Sequence, residues 1–316
     1  MRKKFLCILL LLPVIVIGQK LKIHTDDITN YWIAYDSVQT TQSAMKQQYY
    51  LQHLYLDKAS KGFKDFIRSR EVTAKKLLDN IKLYPAFWES VRTNTLAIKQ
   101  HTGEVEDLMA NFSKLYPGFK QPDVYFVIGA MNSGGTTSAD MVLIGSELAS
   151  ANATTNADEL GKWLQDGFKN NKNVVTIVAH ELGHTQQKGG DAEDDGNSNL
   201  LGYCIREGAC DFIAELLLEQ AITTPYLTYG KEHESELWRQ FTKEMHGQDI
   251  SNWLYNGNQA PQGVADLGYF VGYAICKSYY DKAKDKKQAL KDIIELDYDP
   301  GSVERFLKQS GYNGGQ

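Results

Sequence analysis

The stretch from residue 174 to residue 187 reads VVTIVAHELGHTQQ and places two histidines and a glutamate inside an otherwise apolar run. The spacing of its apolar residues predicts a buried helix. On a helix with 3.6 residues per turn, His180 and His184 lie on one face, close enough for both imidazoles to bind one ion. Glu181 lies about 100° round the helix axis, where it can reach a water held by that ion. This HExxH spacing is typical of a zinc site.

The apolar residues around His180, Glu181 and His184 help to distinguish a metal site from ordinary buried histidines. A single HExxH pattern can arise by chance, and a buried histidine is more often a hydrogen-bonded core residue than a ligand. Two imidazoles and a carboxylate buried without partners would, however, cost several kcal/mol. A metal ion removes that cost, and Gly183 lets another element approach the helix closely. The stretch therefore predicts zinc bound by His180 and His184.

Two histidines need a third protein ligand. A metzincin would continue this helix with glycine at position 187 and histidine or aspartate at position 190, and the chain has Gln187 and Gly190 there. That type is excluded. The acidic residues that follow predict a solvated surface loop, with calcium binding as the alternative: Asp191, Glu193, Asp194 and Asp195.

A better candidate lies in YCIREGACDFIAELLLEQ, residues 203–220, which predicts a buried helix. Glu207 and Asp211 lie one turn apart on one face of it. We expect Glu207 to bind the ion and Asp211 to accept the second ring N–H of a ligating histidine, His180. The alternative is a carboxylate that only interacts favourably with the positive end of the helix dipole.

The first twenty residues, MRKKFLCILLLLPVIVIGQK, have the charged, apolar and small-residue order of a secretory signal peptide. We expect a mature chain that begins near Gln19 and is exported to the periplasm or the extracellular space. We expect no stable membrane span in it, because this apolar run is shorter than the roughly 20 residues that cross a bilayer. Cys7 is badly placed to carry a lipid after cleavage. A formal charge of -5 argues against a nucleic-acid partner.

Three cysteines remain in the mature chain. Cys204 and Cys210 are six residues apart on one predicted helix, a rise of about 9 Å, which is too far for a disulfide between them. Pairing of either with Cys276 and buried free thiols both remain open.

The remaining pattern predicts an α+β fold that is predominantly helical. Residues 26–114 are helical in spacing, and VYFVIG (124–129) and MVLIGSEL (141–148) predict two strands of a small sheet preceding the HExxH helix. The segment between them is rich in turn formers and carries Gly134 and Gly135. An extended peptide could add to an exposed edge of this sheet.

The predicted organisation has three parts. They are a signal peptide (1–18), an N-terminal helical region (19–120) and a zincin-like region (121–316).

Several segments together resemble a known group of proteins. HELGH followed by a helix with Glu-Gly-x-x-Asp resembles the gluzincin metallopeptidases. VYFVIGAMNSGG, AHELGH, REGACDFIAEL and DLGYFVGYAICKSYYD, with the signal peptide, are similar to a family of predicted secreted zinc-dependent proteases related to gliding-motility lipoproteins. The resemblance covers most of the mature chain and implies zinc at His180, His184 and Glu207, with Glu181 as the base.

The implied chemistry is hydrolysis of a peptide or protein substrate. Three protein ligands leave one position of zinc open for water, whose proton Glu181 would take. The oxyanion needs a further donor, for which Tyr269, with Tyr273 nearby, is the candidate. The alternative is that both tyrosines belong to an ordinary amphipathic helix that packs through Gly268 and Gly272.

Two other functions remain open. One is an envelope binding or assembly module that keeps the fold without turnover, although such a module is expected to lose Glu181 or a ligand, and here all four residues are intact. The other is a structural zinc site, which usually needs four protein ligands, often cysteines.

Overall fold

The computed structural model describes residues 23–171, 174–188 and 197–315. The predicted signal peptide and the acidic loop after Gly190 lie outside them. The α-helices are α1 (Asp26–Gln39), α2 (Ala44–Leu54), α3 (Lys61–Ser69), α4 (Ala74–Leu83), α5 (Pro85–Ala97), α6 (Thr102–Leu115), α7 (Ser146–Ala149), α8 (Lys162–Asn170), α9 (Val175–Gln186), α10 (Leu200–Leu218), α11 (Pro225–Glu232), α12 (Glu234–Phe241), α13 (Leu267–Lys282), α14 (Lys286–Ile294) and α15 (Pro300–Ser310). Short 3-10 turns occupy Leu56–Lys58, Ile98–His101 and Gly257–Gln259.

The strands are β1 (Ile23–His24), β2 (Asp123–Val127), β3 (Gly135–Ser138) and β4 (Met141–Gly145), and they form one sheet in the order β1-β2-β4-β3. β1, β2 and β4 are parallel, and β3 is antiparallel to β4. The α+β prediction, mostly helical with a small sheet before the HExxH helix, is confirmed.

β2 and β4 are the two strands that the sequence predicted, and both lie inside the sheet. Val124 to Val127 and all of β4 are buried, as expected for strands covered on both faces. The expectation that one of these strands offers an exposed edge is therefore wrong. The edges are β1 and β3. β3 lies in the segment that was predicted to be a turn, because the glycines and serines in and around it are common turn formers.

Two glycines allow the helices that carry the candidate residues to pack closely. A Cβ at Gly183 on α9 would lie 2.8 Å from the sulfur of Cys210 on α10. A Cβ at Gly272 on α13 would lie 1.7 Å from the carbonyl oxygen of Cys204 on the other side of α10. Any side chain there would force the helices apart, so α10 is held between α9 and α13. The close approach predicted at Gly183 is present.

The N-terminal helices contact the sheet directly. β1 pairs with β2, α1 packs on β2, and α6 contacts α9. The division near residue 120 stays a prediction. Within the described residues no helix combines the length and hydropathy needed to cross a membrane. The three described cysteines are buried free thiols.

Candidate metal centre

Three side chains from α9 and α10 converge on one point. The Nε2 atoms of His180 and His184 are 3.1 Å apart. Glu207 Oε2 lies 3.6 Å from Nε2 of His180 and 3.4 Å from Nε2 of His184. His184 and Glu207 are buried, and His180 is nearly so. The structure thus brings together the three residues that the sequence nominated as ligands.

The other ring nitrogen of each histidine has a hydrogen-bond acceptor. Nδ1 of His180 is 2.8 Å from Oδ1 of Asp211, the contact expected from the sequence. Nδ1 of His184 is 2.9 Å from Oε1 of Gln187. The Gln187 amide is oriented by its own N–H group, which donates to the carbonyl of Arg206. Gln187 was not predicted, although its place three residues after His184 was a usable signal.

These partners leave three acceptors facing one another. An imidazole that donates through Nδ1 has a lone pair on Nε2, so both Nε2 atoms and the Glu207 carboxylate direct lone pairs at the same point. Acceptors so close are stable only with protons or a cation between them. Tetrahedral zinc with ligands at about 2.0–2.1 Å separates its ligand atoms by about 3.3 Å. The observed separations of 3.1 to 3.6 Å fit that ion.

The ionisation of the cluster follows from its burial and charges. Burial disfavours the charged His180, but Asp211 and Glu207 outweigh it and raise the pKa of His180 well above its ordinary value. Burial likewise disfavours the Glu207 carboxylate, but His184 and His180 outweigh it and lower its pKa well below the ordinary value. Without a metal the cluster therefore binds a proton, which a metal ion must displace.

Glu181 lies beside the cluster and faces the edge strand. Its side chain is buried, and a Cβ at Gly135 of β3 would lie 2.5 Å from its Oε1. Gly135 therefore leaves space for this carboxylate. Burial raises the pKa of Glu181, opposed by the charges of His184 and His180. A carboxylate with a raised pKa is a stronger base near neutral pH.

Three tyrosines surround the cluster. The ring of Tyr269, the predicted oxyanion donor, stacks near His180 with centroids 6.0 Å apart. Tyr255 donates a hydrogen bond of 2.8 Å to Oε1 of Glu207, and its backbone adopts a left-handed φ of 55°. Tyr226 donates to Oδ2 of Asp211 at 2.9 Å. Tyr255 and Tyr226 were not predicted, because no spacing in the sequence links them to α9 or α10.

Tyr273, by contrast, lies away from the cluster. Its hydroxyl donates to Glu215 at 2.9 Å. The expected packing role of Gly272 on the same helix is present.

The thiol of Cys210 is a competing ligand. Its sulfur and one ligand nitrogen from each histidine lie within 4.8 Å of one another. Burial and the neighbouring Glu207 raise the pKa of this thiol well above its ordinary value. The pKa of Glu207 is instead lowered well below its ordinary value, and its Oε2 lies 3.6 and 3.4 Å from the two Nε2 atoms. Glu207 is therefore the stronger candidate for the third ligand, and Cys210 is the alternative.

The fold and the cluster define an α+β protein with a buried His-His-carboxylate centre on two packed helices. Residues 16–314 match the family model described as gliding motility protein GldB, so the chain belongs to that family. The predicted relation to gliding-motility proteins is confirmed, and the finer likeness to gluzincin proteases stays a prediction. No curated protein and no solved structure matches the chain.

Proposed function

We propose that this protein is an exported, zinc-dependent hydrolase of peptide bonds with a zincin-like core. The observation that carries the proposal is the convergence of His180 Nε2, His184 Nε2 and Glu207 Oε2 at 3.1 to 3.6 Å. Zinc bound there would polarise a substrate carbonyl and lower the pKa of a water at its open position.

The residues of the chain have separate roles in this reaction. Glu181 accepts the proton of the attacking water at a carboxylate oxygen and passes it to the leaving amine. Asp211 and Gln187 hold the two imidazoles in the tautomer that offers Nε2. Burial and Glu207 raise the pKa of the Tyr269 hydroxyl, so it keeps its proton. Such a hydroxyl can donate to the oxyanion, whereas the Tyr255 hydroxyl already donates to Glu207.

The edge strand β3 gives a peptide a way to align with these groups. It pairs with β4 on one side, and its first residue, Gly135, touches Glu181. A peptide lying along the other side of β3 would gain main-chain hydrogen bonds with little demand on its sequence. Its scissile bond would then lie beside the carboxylate that acts as the base.

A second function is favoured by the family match. A gliding motility family points to an envelope-associated assembly role, and this match supports such a role better than it supports peptidase activity. In that case the same centre holds zinc for structure or binding, and nothing is hydrolysed. The two functions make opposite predictions for Glu181, because only hydrolysis needs a base.

The test combines metal content with turnover. Mass spectrometry of the mature protein should find one zinc per chain, and a broad peptide library should be cleaved. Glu181→Gln should keep the zinc and lose about 10²–10⁴-fold in rate, whereas Glu106→Gln, an exposed glutamate on α6, should behave as the wild type. Zinc binding without cleavage, together with gliding restored by Glu181→Gln in cells that need this protein, would favour the assembly role.

Two further variants test the choice of ligand. Glu207→Gln should lose the zinc, because a neutral amide replaces the carboxylate oxygen that faces both imidazoles. Cys210→Ser should keep both zinc and activity. Loss of zinc from the Cys210 variant alone would instead identify the thiol as the ligand.

A further inference from the structure

A large cleft adjoins the candidate metal centre. Its volume is about 600 Å³. α8, the start of α9, the segment after α10 and residues 257–266 form its walls. The lining residues that matter here are Gly134, Trp163, Phe168, Ile177, Tyr226 and Val264.

Three residues that line this apolar cleft lie next to the candidate metal centre. Ile177 lies one turn before His180 on α9. Tyr226 donates to Asp211. Gly134 directly precedes Gly135, which contacts the Glu181 carboxylate. A peptide held beside the Glu181 carboxylate would therefore extend into the cleft.

The charged lining residues already have partners. Lys162 donates a hydrogen bond to Asp166 on the same helix. Oδ1 of Asp266 accepts the backbone N–H of Asn256. Two carboxylates and one paired ammonium do not favour an anionic headgroup, and an unpaired charge would be costly against the apolar walls.

The mouth of the cleft exposes an aromatic ring. Trp163 on α8 is 45% exposed, among the few large apolar side chains so open to solvent. Exposed apolar surface beside a large cleft marks a binding site. The neighbouring edge of β3 offers main-chain partners, which suit a peptide better than an acyl chain.

We infer that the apolar cleft binds a stretch of polypeptide with successive large apolar side chains next to the scissile bond. A volume of about 600 Å³ is in the range of pockets that hold whole ligands, so the cleft takes more than one side chain. This inference rests on the hydrolytic function proposed above, and it adds a substrate class: hydrophobic segments of proteins.

Two glycines provide a matched test. A Cβ at Gly167, on α8 in the cleft wall, meets no atom within 4 Å, and the same holds for Gly103 on α6, which is not among the cleft residues. Gly167→Phe should place a ring in the cleft from a position where the first added atom meets no neighbour, and Gly103→Phe places the same ring elsewhere. Trp163→Ala, which truncates a half-exposed side chain, tests the mouth separately.

The assay uses the zinc-loaded mature protein with Glu181→Gln, so that binding is measured without cleavage. Two labelled peptides of equal length and charge, one with a Leu-Phe-Leu core and one with Ala-Ser-Ala, are compared by fluorescence anisotropy. The apolar peptide should bind at least about tenfold more tightly. Gly167→Phe should remove most of that preference, Gly103→Phe should keep it, and Trp163→Ala should reduce it several-fold.

The outcomes separate this inference from the proposed function. Equal binding of the two peptides, or a preference that survives both Gly167→Phe and Trp163→Ala in folded protein, overturns the cleft assignment. If the apolar peptide binds preferentially but the unsubstituted protein cleaves neither peptide, the cleft assignment stands and the hydrolytic function is refuted. If both peptides are cleaved equally well, the hydrolytic function stands and the cleft assignment is refuted.

Discussion

Glu147, on α7 directly after β4, should make the stability of the fold depend on pH. Its side chain is 0% exposed, and its two carboxylate oxygens accept the backbone N–H groups of Gly129 and Met131 at 2.8 and 3.1 Å. Burial, only partly opposed by these hydrogen bonds, raises its pKa from 4.5 to about 7. The carboxyl therefore holds its proton more tightly in the folded chain than in the unfolded one.

The sign and size of the effect follow by linkage. Glu147 contributes most stability below about pH 4.5, and this contribution is lost as the pH rises through about 7. The two pKa values are about 2.5 pH units apart, worth about 3 kcal/mol. Glu147→Gln cannot ionise, but its amide N–H would face a backbone N–H, which costs about 1–3 kcal/mol. The variant should be less stable at pH 4.5 and equal or better at pH 8.

The measurement is urea unfolding of both proteins between pH 4.5 and 8, with a chelator present so that metal binding does not contribute. The difference in free energy of unfolding between wild type and variant should change by about 3 kcal/mol over this range. Glu106→Gln, on the exposed face of α6, should show no such change. A constant difference between wild type and Glu147→Gln would refute the assignment of a buried, proton-binding carboxyl.

Five other variants test the centre and the packing that supports it. Asp211→Asn should lower zinc affinity about 10–100-fold in a chelator competition, and unchanged affinity would remove its proposed role. Gly272→Ala should lower the free energy of unfolding by about 3 kcal/mol or more, because its Cβ meets a backbone carbonyl at 1.7 Å; Gly167→Ala, with open space, should instead gain up to about 1 kcal/mol. Tyr269→Phe should lower kcat about 10²-fold with zinc content unchanged, and an unchanged kcat would remove its role as oxyanion donor. Tyr255→Phe should instead lower zinc affinity, because it removes the hydrogen bond to Oε1 of Glu207.

Much of the centre was predictable because its residues are linked by helical spacing. His180 and His184 are one turn apart, and so are Glu207 and Asp211, so a helix places each pair on one face whatever the rest of the fold does. Burial could be read from the apolar neighbours, and buried polar groups need partners. The strands β2 and β4 were equally clear, since interior parallel strands are continuous apolar runs.

The remaining parts depend on segments distant in the chain. β3 has a composition that also suits a turn, and it becomes a strand because β4 supplies its hydrogen-bond partners. Tyr255 reaches Glu207 from 48 residues away, on a loop with no periodic pattern. The apolar cleft has walls from several separate segments.

Local spacing therefore specified the candidate ligands, their helices and the α+β class, since these follow from backbone geometry within one element. Packing between elements determined which strands form the sheet edges, which tyrosine contacts Glu207 and where the apolar cleft lies. Such contacts depend on how the elements pack in three dimensions, and no periodicity along the chain encodes them.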